Sequence, residues 1–436
     1  MKMRTIVICI SLCVMSGSIR ASFRLPLLTL LAAVLGSLQG CGGGGGGESS
    51  TPAAPGAVVQ AQALSDVAAL GQKIFNDASL SASGRQSCAS CHDEARGHAA
   101  PNDLSVQLGG VSGTDRHGTR NSPSMRYLRY NQDFRFDSEG TPMGGFFWDG
   151  RATSLADQAK GPFVNDREMA NANPEAVVAK LAQATYADEF RRVFGADVMS
   201  DTAAAYERMA LAIQAFQRED ARFAPFTSKY DAFLRGDTQL TEQELRGLAL
   251  FNSPSKGNCS ACHPSAKGAD GSFPLFTDFS YDSLGVPRNW TIAENLDASY
   301  FDLGLCGSSN PAILALTDAQ RQPLCGAFKV PSLRNVAQRG AFFHNGVFHD
   351  LTTVVTFYAQ RDTNPEKWYL TALGEVDRDA NGQVNRFQDM PAMYRGNVNT
   401  TEAPYNRQPG GEPALTEAEI RDVVAFLGTL TDGWSR

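Results

Sequence analysis

The chain has 436 residues, a net charge of −7 and a hydrophobic fraction of 42%. That is apolar content enough for a sizeable core and length enough for two domains. The negative charge argues against a nucleic-acid partner. A mean hydropathy of −0.25 with one hydrophobic N-terminal run argues against a multi-span membrane protein.

Residues 1–40 have the make-up of an export signal. Arg20 and Arg24 precede the apolar run Leu25 to Leu38, which is short for a membrane helix and close to the terminus. The run ends Leu38-Gln39-Gly40-Cys41, which resembles a bacterial lipoprotein signal with Cys41 as the lipidated residue. The alternative is an ordinary cleaved signal. Residues 41–60, with Gly42 to Gly47 and a Ser/Pro/Ala-rich run, have the composition of a flexible tether.

Val67, Leu70, Ile74 and Phe75 recur at helical spacing, which predicts a helix over Ser65 to Phe75. A turn at Asn76 to Leu80 leads into Cys88-Ala89-Ser90-Cys91-His92. Residues 93–147, rich in Gly, Pro, Asn and Asp, are expected to be mostly loop. Helices are predicted over 175–194 and 202–223, the second capped by Asp201 or Thr202, and a linker over 224–236. Thr241-x-x-Glu244 is a capping box for a helix through Leu250. Cys259-Ser260-Ala261-Cys262-His263 follows. Thr416-x-x-Glu419 opens a last helix, Ile420 to Leu430. Each half thus runs helix, cysteine motif, long loop, helix, an internal duplication at the level of organisation.

Cys-x-x-Cys-His is the attachment site of a c-type haem. Two thiols one helical turn apart add to the two vinyl groups of a porphyrin, and the next residue supplies its imidazole to the iron. The motif occurs twice, so two covalent haems are expected, with His92 and His263 as iron ligands. Zinc would need four ligands per site, and no second Cys pair or His cluster follows either motif closely. Of nine cysteines, four are in the motifs, Cys9 and Cys13 lie in the signal, and Cys41 is the lipidation candidate. Cys306 and Cys325 remain, as a disulfide in an oxidising compartment or as two buried thiols.

Further stretches carry a family resemblance. Arg120-Asn121-Ser122-Pro123, Phe147-Trp148-Asp149-Gly150-Arg151, Gln158-Ala159-x-Gly161-Pro162, Glu168-Met169 and Pro331-Ser332-Leu333-Arg334-Asn335-Val336-Ala337 are similar, in order and spacing, to the bacterial dihaem cytochrome c peroxidases and their relative MauG. The resemblance covers about residues 65–430 and implies a peroxidase. Peroxide would be cleaved at the haem on His92, in a pocket of Gln158, Pro162 and Glu168. Glu168 would be the acid–base residue, since heterolysis moves one proton from the inner to the outer oxygen. Trp148 would relay electrons between haems. A calcium ion would take the Asn121 side-chain oxygen and the carbonyls of Arg339 and Ala341.

In the same pattern the second axial ligand of the C-terminal haem lies fourteen residues after His344. The peroxidases proper have Met there, whereas this chain, like MauG, has Tyr358. A phenolate is a hard anion that favours the more oxidised iron, where a thioether favours the reduced one. Met390 and Met393 are out of register and belong to a loop. The peroxidases also have a movable His that blocks the peroxide site. His117 and His98 are the candidates here, each more in keeping with a surface or supporting role. MauG takes electrons through a Trp just before its second haem motif. Here Ser255-Lys256-Gly257-Asn258 has no aromatic.

The expected fold is therefore mainly α, with two cytochrome c-like helical domains, 61–225 and 226–436, each holding one c-type haem. The expected function is a periplasmic dihaem peroxidase that acts on hydrogen peroxide. Its electrons would come from a small cytochrome or cupredoxin, and the His263/Tyr358 haem would relay them or store an oxidising equivalent. The alternatives are MauG-like oxidation of aromatic residues in a partner protein, and a non-catalytic electron-transfer cytochrome.

Overall fold

The computed structural model describes residues 63–435. The signal, lipidation and tether expectations fall on residues 1–60, outside the described residues. No helix among the described residues is long and apolar enough to cross a membrane.

The regular structure is mainly helical. Strands are two-residue antiparallel pairs: Leu108–Gly109 with Arg116–His117, Arg135–Phe136 with Pro142–Met143, and Tyr281–Asp282 with Phe328–Lys329. The principal helices are α1 (Asp66–Asn76), α2 (Leu155–Val164), α3 (Pro174–Leu181), α4 (Ala187–Phe194), α5 (Thr202–Glu219), α6 (Lys229–Arg235), α7 (Glu242–Asn252), α8 (Leu351–Gln360) and α9 (Glu417–Gly428). The starts follow local chemistry. The Ser65 hydroxyl oxygen accepts from the Ala68 N–H at α1, and Asp201 caps α5. The boxes Thr241/Glu244 and Thr416/Glu419 open α7 and α9 as expected.

One apolar cluster gathers Leu70, Ile74, Phe163, Val177, Phe190 and Phe216 from α1–α5. A second gathers Tyr230, Phe251, Val354, Phe426 and Leu427 from α6–α9. In each, the first long helix crosses the last at a glycine. A Cβ on Gly71 would lie 1.8 Å from the Ala212 carbonyl oxygen, and one on Gly247 2.0 Å from that of Asp422. No side chain fits between backbones so close.

Two expectations are corrected. The single helix predicted over 175–194 is two, α3 and α4, because the chain turns Tyr186 inward to donate its hydroxyl to Asp77 at 2.7 Å. The linker predicted over 224–236 holds α6, opened by a reciprocal cap between Ser228 and Asp231. Asp231 is fully buried and pairs with Arg334 at 2.8 Å, so this segment belongs to the core.

A second element is also built twice. Phe146 bridges to Ala152, and Phe342 to Phe348. Each tight loop has a phenylalanine at positive φ, Phe147 at 63° and Phe343 at 64°, and a glycine at positive φ, Gly150 at 63° and Gly346 at 64°. A capped helix follows each, α2 after Ser154 and α8 after Asp350. Cys306 and Cys325 form a disulfide across an irregular segment.

Candidate active site

A cavity of about 710 Å³ runs past both Cys-x-x-Cys-His motifs, with His92, Trp148, Glu168, His263 and Tyr358 in its wall. Cys88–Cys91 forms a helical turn and Cys259–Ala261 a 3₁₀ turn, so each pair of thiols is presented together. His92 Nδ1 lies 3.2 Å from the His98 carbonyl, and His263 Nδ1 lies 2.7 Å from the Phe276 carbonyl. A carbonyl can only accept, so Nδ1 carries the proton and Nε2 keeps its lone pair. Burial lowers His92 to about 4, which holds the imidazole neutral. No three His, Cys, Asp or Glu side chains converge as a metal site among the described residues. Free thiols, an unprotonated Nε2 and an apolar cavity suit a c-type haem at each motif.

The His98 side chain is buried and stacks on Phe223 at 4.2 Å, while its backbone carbonyl orients His92. His117 is exposed on its strand. Neither is in the cavity wall.

Helix α2, which the sequence reading did not anticipate, sets Gln158 and Pro162 one turn apart on one face. Asn165 caps its end and donates through Nδ2 to Glu168 Oε1 at 2.7 Å. Burial raises the Glu168 carboxyl above its ordinary range, against the pull of the Arg151 charge and the Asn165 hydrogen bond. Arg151 sits over the Phe147 ring at 3.5 Å and pairs with Asp149 at 3.0 Å. Asn165 and Arg151 thus complete the Glu168 environment. Neither was singled out from sequence for that role, although an Asn closing an apolar helix is a recognisable cap signal.

Trp148 is buried, and its indole N–H donates to the Asn121 carbonyl at 2.8 Å. The Asn121 N–H in turn donates to the His344 carbonyl at 2.7 Å. Beside it Arg120 bridges Asp149 and Asp302, each at 2.6 Å. Burial alone would raise Asp302, but the Arg120 guanidinium outweighs it and holds the carboxyl at about 2.

Tyr358 projects from α8. Gly150 precedes Pro162 by the same number of residues as Gly346 precedes Tyr358, so Tyr358 is the internal counterpart of Pro162. It packs on Tyr405 and Phe343, with ring centroids at 5.8 and 5.7 Å. Burial pushes its phenol up, and a hydrogen bond with Tyr405 opposes this. Met393 is exposed. Met390, although a loop residue as expected, is buried at the cavity wall, and its sulfur accepts from the Ser283 hydroxyl.

Asn121, Arg339 and Ala341, the expected calcium ligands, do meet, but not as an open oxygen cage. The Arg339 guanidinium occupies the place between them. Its Nη2 donates to Asn121 Oδ1 and to the Ser122 carbonyl, both at 3.2 Å, and its Nε to the Ala341 carbonyl at 3.4 Å. The residues present therefore do not fit a calcium ion, which would need those same lone pairs beside a fixed positive charge.

A family model described as di-haem cytochrome c peroxidase matches residues 65–239. The methylamine utilization protein MauG of Paracoccus denitrificans is 40% identical over 385 residues, 87% of this chain and 92% of its own. The cytochrome c551 peroxidase of Nitrosomonas europaea is 30% identical over 284 residues, 64% of this chain and 69% of its own. The crystal structure of the diheme peroxidase BthA from Burkholderia thailandensis matches with a TM-score of 0.77 at 40% identity, covering 86% of this chain and 88% of that one. Both motifs, Trp148 and Glu168 line one cavity, and the chain belongs to the dihaem cytochrome c peroxidase family, whose members include MauG, and is a peroxidase-like oxidoreductase.

Proposed function

We propose that the protein is a periplasmic dihaem peroxidase, lipid-anchored at Cys41, in which hydrogen peroxide reacts on the His92 side of the cavity. The halves 61–225 and 226–436 each carry one covalent c-type haem. The observation that carries the reading is the paired construction of α2 and α8. One loop-and-helix unit, built twice, carries Pro162 on α2 and Tyr358 on α8, both in the cavity wall. A proline has no donor atom to offer a metal, whereas a phenol has one. One iron would thus be open to peroxide and the other closed.

When bound, the haem on His92 supplies the coordination position at which peroxide is held. Glu168 accepts the proton from the inner peroxide oxygen and returns it to the outer one as the O–O bond breaks. Asn165 holds that carboxylate in place. Gln158 orients the peroxide, and Pro162 keeps the approach free of protein donors. Two electrons and two protons complete the reduction to two waters. The electrons come from a small cytochrome or cupredoxin by way of the C-terminal half, with Trp148 on the route. Tyr358, anionic only when a cation offsets its burial, would serve as a hard ligand to a haem held on His263 and would favour the oxidised form of that iron. A MauG-like reaction on a partner protein is the less favoured reading, because the segment before Cys259 lacks an aromatic exit residue.

The test is electron paramagnetic resonance of the oxidised protein with peroxide turnover measured with and without a reduced cytochrome. Expected are one open-site signal, one His/Tyr signal and donor-dependent turnover. Two six-coordinate signals and no turnover would leave only an electron-transfer cytochrome.

A further inference from the structure

The side chain of Arg339 is placed where this family's pattern calls only for a backbone carbonyl. Its guanidinium has no ion-pair partner among the described residues. It is held instead by three neutral oxygens: Asn121 Oδ1, the Ser122 carbonyl and the Ala341 carbonyl, at 3.2, 3.2 and 3.4 Å. Neutral oxygens of this kind are what a hard cation would recruit. They come from two segments far apart in the chain, 121–122 and 339–341, so the group that binds them ties the halves together.

The tie leads to the redox route. Asn121 is almost fully buried, and its backbone carbonyl receives the Trp148 indole N–H while its backbone N–H is spent on His344. Whatever fixes the Asn121 side chain therefore fixes the frame that positions Trp148. The Nδ2 of Asn121 has no partner, so within this side chain Oδ1 alone does the fixing. Gly340 packs close to the Asp103 backbone, where a Cβ would lie 2.9 Å from the Asp103 Cα.

We infer that the Arg339 guanidinium is a built-in replacement for the divalent cation expected between the two halves, so that this chain neither binds nor needs calcium. A guanidinium on a side chain cannot be lost to a chelator and needs no supply from solution. It also leaves the Asn121 and Ala341 oxygens occupied by N–H donors, so a metal would have to displace it and sit beside its charge.

The experiment uses the diferric holoprotein. It is exchanged into chelator-treated buffer and assayed for calcium by elemental analysis, and then titrated with calcium chloride in a calorimeter. Expected are less than about one-tenth of a calcium ion per chain, no saturable heat, and paramagnetic resonance and haem spectra unchanged by chelator. One calcium per chain surviving exchange, or a chelator-induced spectral change, overturns the inference. In the second arm, Arg339→Ser and Arg339→Lys are compared in chelator, with haem content checked first. The serine variant is expected to show altered spectra of the oxidised protein and the lysine variant to keep most of the wild-type signature. A serine variant identical to wild type would remove the role given to the guanidinium. If that variant does not fold, the wild-type calcium measurement still decides. Calcium content is read independently of turnover, so the inference can fail while the peroxidase reading stands.

Discussion

Glu168→Gln separates proton transfer from architecture. The amide has nearly the same size, and its Oε1 can still accept from Asn165 Nδ2, the bond that measures 2.7 Å in the wild type. Haem attachment should be untouched, because His92 is oriented by the His98 carbonyl and not by this pocket. What disappears is a group able to take and return a proton. Loss of general acid–base help lowers a rate by roughly a hundredfold or more, which is about 2.7 kcal/mol in the barrier. The pH dependence gives a second, signed readout. Burial raises the Glu168 carboxyl, so the base form accumulates at higher pH than for a surface glutamate near about 4.3. The wild-type rate should rise with pH through that elevated range and then level off. The variant should be slow and flat. Folding moves the other way: a carboxyl raised by burial costs stability as pH rises past its ordinary value, so at neutral pH the variant should unfold no more readily than wild type. Stopped-flow mixing with peroxide across pH is the assay, with pyridine haemochrome confirming two haems per chain. An unchanged rate, or the same rising limb in the variant, would show that proton transfer runs through another group.

Tyr358→Met should raise the potential of the C-terminal haem in a potentiometric titration, since a hard anion gives way to a neutral soft donor. Both haems should remain attached, and an unchanged potential would make Tyr358 a packing residue. Gly247→Ala forces a methyl to within 2.0 Å of the Asp422 carbonyl. Overpacking of that kind costs about 1–3 kcal/mol, a fall of roughly 2–10 °C in the melting midpoint. A calorimetric scan that superposes on wild type would refute the tight crossing. The Arg120–Asp302 pair predicts acid sensitivity. Its carboxyl is held at about 2, below the usual 3.8, so its stabilisation is complete above about pH 4 and is lost as pH falls toward 2. Arg120→Gln should flatten that part of the stability profile and cost about 3–5 kcal/mol by leaving the buried Asp302 carboxylate unpaired, while Asp149 keeps Arg151. A denaturant series from pH 2 to pH 6 that matches wild type would contradict this.

Much of the site was legible in the chain because its rules are local. A haem motif is a spacing of five residues, and a capping box is a bond between a residue and its third neighbour, as at Thr241 and Thr416. These carry the same meaning in any fold. The order of Asn121, Trp148, Gln158, Pro162, Glu168 and Tyr358 was readable by resemblance alone. The linker was misread because the partner that buries Asp231 is Arg334, a hundred and three residues on, and sequence proximity carries no trace of it. The same holds for the carbonyls of His98 and Phe276, which select the iron-binding nitrogen of each histidine, and for Arg120 between Asp149 and Asp302. It holds most clearly at Arg339. Its backbone position follows from the family's order of residues, but where its side chain lies depends on Asn121 and Ser122 arriving opposite it. Spacing along the chain determined which groups this protein possesses. Closure of distant segments decided which lone pairs were left free for a metal and which were taken by the protein itself.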